Sequence, residues 1–134
     1  MNRLWLGAAL ALLVGCTGRN EVSRVPSPDG ALDAVVLESD SGGTSSSDYS
    51  VYVVKRGATL GRYPVVMSFD AALRGNSPHA VTLKWSDSSN LAVEYLSARK
   101  VTLPSGDIHL EDRHVRITPR PGVSDPSPTL AETR

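Results

Sequence analysis

Apolar and polar residues alternate with a period of two over much of this chain. Val81, Leu83 and Trp85 share one side of a short run while Thr82 and Lys84 share the other, and Leu91, Val93 and Tyr95 repeat the pattern with Glu94 opposite. Such alternation marks half-buried strands. The turn-rich link Ser86-Asp87-Ser88-Ser89-Asn90 predicts an antiparallel hairpin in which Trp85 and Leu91 meet as a cross-strand pair near the closed end. Further runs rich in β-branched and aliphatic residues fall at 31–39 (ALDAVVLES), 49–55 (YSVYVVK), 63–69 (YPVVMSF), 79–85 (HAVTLKW), 90–96 (NLAVEYL), 99–103 (RKVTL) and 107–118 (DIHLEDRHVRIT). Gly, Pro, Asn, Asp and Ser clusters separate them, as in an all-β domain. Runs 31–39 and 49–55 are apolar on both faces, through Val35-Val36-Leu37 and Val51-Tyr52-Val53-Val54, which predicts central strands covered on two sides. A single helical turn is expected, capped by Ser68, running through FDAALR and stopped by Gly75. The expected fold is all-β, a small antiparallel sandwich or half-open barrel of about six to seven strands.

The ends of the chain have a different character. Residues 1–16 read MNRLWLGAALALLVGC, with Arg3 as a positive n-region and an apolar run from Leu4 to Val14. That run is too short for a membrane-spanning helix, which needs ~20 residues, but has the length of a signal-peptide core. Leu13-Val14-Gly15-Cys16 resembles the lipobox of bacterial lipoproteins. The resemblance implies cleavage before Cys16, a thioether-linked diacylglycerol on its sulfur, an acylated amino terminus (palmitate or a similar chain), and anchoring without spanning. Thr17 follows where an Asp would favour inner-membrane retention, so the resemblance implies the inner leaflet of an outer membrane, facing the periplasm. Cys16 is the only cysteine, so disulfides, thiol catalysis and thiolate metal sites are excluded from the exported domain. The expected organisation is a signal peptide over 1–15, a lipidated Cys and tether over 16–24, a β domain over 25–118, and a disordered or extended tail over 119–134, where four prolines occur without apolar periodicity.

Ser27-Pro28-Asp29-Gly30 is a turn signal, with Pro28 suited to position i+1 and Gly30 to i+3. SPDG before a strand resembles the repeat opening of periplasmic β-propellers, and Trp85-Ser86-Asp87 before LAVEY a second copy, but two units cannot close a ring of blades. The chain also resembles a group of small bacterial envelope proteins of unknown function. Ser27–Gly30, Gly42-Gly43-Thr44, Val51-Tyr52-Val53-Val54, Leu83-x-Trp85-x-Asp87 and Leu91-x-Val93-x-Tyr95 carry that likeness, which covers residues 27–96 and implies a fold rather than an activity.

The 134 residues fit one domain, at ~150 residues per domain. Lys+Arg and Asp+Glu are 14 each, and loss of Arg3 with the signal leaves the mature chain at net −1. This balance excludes a dedicated nucleic-acid binder. The basic pairs Lys55-Arg56 and Arg99-Lys100, with Arg113 and Arg116, are the positions that could meet anionic lipid or glycan phosphate. No G-x-S-x-G elbow is present, and Gly42-Gly43 leads into a strand rather than a helix, which argues against a serine hydrolase and a nucleotide site. His79, after Pro78, is expected to cap a loop at a strand start.

Two features remain as binding candidates. In a strand, Asp107, His109 and Glu111 project from one face, where an imidazole between two carboxylates could bind a divalent metal or act as a general base; the same spacing also arises on any solvated strand face. His114 lies at an odd offset from His109, so only a bulge or turn near Asp112 would bring the two together. The polar loop Ser39–Ser50 is the other candidate, or else a plain hairpin connection. No metal or cofactor is assigned. The expectation is a non-catalytic, membrane-anchored envelope module with a protein partner, and the alternative is a small-ligand or metal-binding lipoprotein.

Overall fold

The structure is a computed structural model that describes residues 19–39, 46–75, 78–110 and 112–123. Among these are nine strands: β1 (Arg19–Pro26), β2 (Leu32–Ser39), β3 (Ser46–Lys55), β4 (Met67–Leu73), β5 (Val81–Asp87), β6 (Asn90–Tyr95), β7 (Ala98–Thr102), β8 (Asp107–Leu110) and β9 (Arg113–Pro121). They form a five-stranded sheet in the order β1-β2-β3-β4-β7 and a four-stranded sheet in the order β5-β6-β9-β8. The all-β sandwich expected from the sequence is present, with more strands than the six or seven expected. The pairing is antiparallel throughout except between β6 and β9, which run parallel.

One core lies between the sheets. Leu32, Ala34 and Val36 of β2, Tyr49, Val51 and Val53 of β3 and Met67, Phe69 and Ala72 of β4 face Val81 and Leu83, Leu91, Val93 and Tyr95, and Val115 and Ile117 from the second sheet. Phe69 and Tyr95 meet edge-on across the interface, ring centroids 4.8 Å apart. The β5–β6 hairpin has the expected register, Trp85 opposite Leu91. Its turn is held by Asp87, whose Oδ1 accepts from the Ser89 N–H at 2.8 Å and from Asn90 Nδ2 at 2.9 Å. Trp85 Nε1 donates to the Val25 carbonyl at 2.9 Å, joining the β5 and β1 edges. The opposite flank holds the other two edges, β7 and β8, connected through residues 103–106.

SPDG forms the β1–β2 turn. The Gly30 N–H donates to the Ser27 carbonyl at 2.8 Å, and Gly30 takes φ 75°, which favours glycine. The Asp29 carboxylate accepts from the Ser27 hydroxyl and the Ala31 N–H, and pairs with Arg113 Nη2 at 2.8 Å. Those contacts, the Ser27 hydroxyl first, hold its pKa down at about 2.

Three local expectations are corrected. The FDAALR segment is strand β4, not a helical turn. A bulge opposite Asp48 puts Ala71 at φ 53°, with its N–H on Asp48 Oδ1 at 2.9 Å. The extra residue turns Met67, Phe69 and Ala72 all inward, and their uneven spacing imitates a helical period. Residues 19–24, expected as a tether, belong to β1. The polar run was silent because a bulge between Glu21 and Ser23 breaks the alternation of its two core contacts, Val22 and Val25. Residues 119–121, expected in the tail, end β9. The Arg116 N–H points toward β6, to the Ser89 carbonyl, and the Ile117 N–H points the other way, to Gly106. Continuing that alternation directs the nitrogens of Pro119 and Pro121 away from β6, so the missing donors fall on an edge that no described strand covers. Residues 124–134 of the expected tail lie outside the described residues.

Candidate functional site

The outward side chains of the second sheet form a polar grid. Thr82, Glu94 and Arg120 make one row across β5, β6 and β9, and Lys84, Ala92 and Thr118 the next. Asn90, Arg116 and Asp107 follow on β6, β9 and β8, and His114 and His109 close the grid at the β8–β9 hairpin. Ala92 is the small residue in the middle, so the flanking side chains enclose a shallow groove of about 230 Å³ above it. Glu94 is only 7% exposed there, with Lys84 Nζ at 3.5 Å from Oε1 and Arg120 Nε at 4.0 Å from Oε2. Oε1 accepts no hydrogen bond, so two cations balance the carboxylate by charge rather than by direct donation.

Of the sequence candidates, Asp107 and His109 share the exposed face of β8 as expected. Glu111 and the lipidation candidate Cys16 lie outside the described residues. The run 107–118, read as one strand, is a hairpin that turns at Asp112, and this turn is the condition under which His114 meets His109. The two are directly opposite in the register, their rings stacked with centroids 4.8 Å apart and planes 21° apart. His114 Nε2 lies 2.9 Å from Asp107 Oδ1, and Arg116 Nε is 3.9 Å from the same oxygen. Among the described residues no three His, Cys, Asp or Glu side chains converge as a ready-made metal cage.

The loop candidate is shorter than its 39–50 expectation, because Ser46–Ser50 belongs to β3; residues 40–45 lie outside the described residues. At its base, the Tyr49 hydroxyl donates to Glu38 Oε2 and accepts from the Ala80 N–H at 3.2 Å. Burial first, and the Glu38 contact second, push the Tyr49 pKa up. Arg74 Nε and His79 Nδ1 lie 3.7 and 4.0 Å from the same Glu38 oxygen. This cluster supplies the buried Tyr49 hydroxyl with both partners it needs, and so works as a closure of the sandwich end.

The basic pairs separate. Arg56 is drawn to the Gly30 carbonyl and toward Asp33, whereas Arg99 and Lys100 stand exposed on the β7 edge. Comparison with known proteins found no protein family, no curated protein and no solved structure that matches this chain.

Proposed function

We propose that this protein is a lipid-anchored lipoprotein of the bacterial envelope whose sandwich acts by protein contact rather than by catalysis. The observation that carries the reading is the sequence Leu13-Val14-Gly15-Cys16 placed directly before a folded domain. Strand β1 begins at Arg19, three residues after Cys16, a reach of at most about 10 Å of extended chain. Acylation of Cys16 then holds the sandwich against a membrane surface, and Thr17 in place of Asp assigns it to the outer membrane's inner leaflet.

A contact role is supported by the edges of β7 and β8, which have no second partner strand among the described residues and offer backbone donors and acceptors to an added strand. Val65 and Leu73 are the large apolar side chains left exposed among the described residues, so an edge is a better docking feature than an apolar patch. Arg99 and Lys100 along β7 repel a second copy of the same edge and suit an acidic partner segment.

The test combines labelled palmitate with a photo-reactive residue in place of Arg99, in cells carrying the full chain. The wild type should take up label, fractionate with the outer membrane and form a discrete protein adduct. Cys16→Ala should lose all three. Absence of label would sink the anchor, and absence of an Arg99-site adduct would sink the contact role.

A further inference from the structure

The β8–β9 hairpin brings together two imidazoles that the chain keeps five residues apart. Because the Arg116 N–H is directed toward the β6 side, at the carbonyl of Ser89 just before that strand, alternation along β9 also directs the His114 N–H away from β8. The pair His109·His114 is therefore a non-hydrogen-bonded one, the class in which facing side chains come closest. Asp107 adds a second element. A carboxylate oxygen only accepts, so the 2.9 Å contact places a proton on His114 Nε2 and leaves the lone pair of the neutral ring on Nδ1. A carboxylate fixing the remote nitrogen of an imidazole, and so orienting the near one, is the usual support of a metal-ligating histidine.

We propose that His109 and His114 form a two-imidazole site for a nitrogen-preferring transition-metal dication, Zn²⁺, Ni²⁺ or Cu²⁺, with Asp107 as the positioning residue. The rings stack face to face across the hairpin. Both sit on an exposed face, so with His114 held by Asp107, rotation of the His109 side chain brings a second ring nitrogen to the same ion, and water completes its shell. This site does not depend on acylation or on the β7 edge.

The test uses the full chain without an affinity tag, carrying Cys16→Ser to remove the competing thiol, titrated calorimetrically with zinc and with nickel. Saturable binding of one ion per chain is expected. His109→Ala and His114→Ala should each weaken it at least 10-fold, Asp107→Asn about 10-fold, and His79→Ala should leave it unchanged. His109→Gln with His114→Gln serves as a second variant that keeps polar side chains on the exposed face, and a matching urea midpoint certifies its fold. Absence of saturable binding would overturn the proposal. So would affinity retained in the double variant, or affinity lost in His79→Ala alone.

Discussion

The two sheets bury one face each against the other, yet their outer faces are built on opposite principles. On the five-stranded sheet, Val35, Tyr52 and Val54 form a second apolar cluster, covered by Leu37 and by Ala58, Leu60 and Tyr63 from the segment that crosses over between β3 and β4. Asp33 lies beside that segment, 2% exposed, accepting from Arg24 Nη1 at 2.9 Å and from the Gly57 N–H at 2.8 Å. Burial acts to raise its pKa, but the Gly57 N–H and the Arg24 guanidinium outweigh it and hold the carboxyl below its usual range. On the four-stranded sheet no segment crosses over among the described residues, and the outer face carries the charged and imidazole grid. One face is a second core with a buried ion pair as its seal. The other is left open among the described residues, and the facing histidines stand there.

Substitutions on the two faces should therefore differ in scale. Tyr52→Ala opens the covered face and should cost about 3 kcal/mol, read from the urea midpoint. Asp33→Asn keeps an acceptor for Gly57 but leaves Arg24 without its buried partner, and should cost about 2 kcal/mol. Its pH dependence sharpens the point. A carboxyl with a depressed folded-state pKa contributes stability that is fully present above its unfolded value, near 4, and is lost as pH falls through the folded value. The wild type should thus lose stability below about pH 4, and Asp33→Asn should show a flatter acid limb in the same measurement. Thr118→Ala, on the open face, should change stability by less than about 0.5 kcal/mol. A loss there comparable with that of Tyr52→Ala would mean that the second sheet's outer face is covered in the native protein, and the contrast would fail.

The same contrast explains which elements were readable. The covered face was announced by runs apolar on both sides, such as Val35-Val36-Leu37 and Tyr52-Val53-Val54. The hairpin of β5 and β6 was announced by unbroken alternation, down to its Trp85–Leu91 pair. Strand β1, the inward set of β4 and the end of β9 were hidden, each for a local reason. A bulge in β1 and another at Ala71 shift the period, and Pro119 and Pro121 mimic a tail until the direction of their missing N–H groups is known. Of the site, Asp107 and His109 were visible as neighbours two positions apart on one strand. The facing of His114 depended on whether the chain turns at Asp112.

By itself the sequence determined the class of fold, the central strands, the SPDG turn and the absence of thiol chemistry from the domain. Alternation, turn residues and composition act over a few residues, so these features are written locally. Only the tertiary structure decided that β6 and β9 lie parallel, that Tyr63 and Leu60 cover the first sheet while among the described residues the second stays open, and that His109 faces His114 with Asp107 fixing one ring. Those are pairings between segments, and a strand's pattern records which of its faces is buried without recording which neighbour buries it.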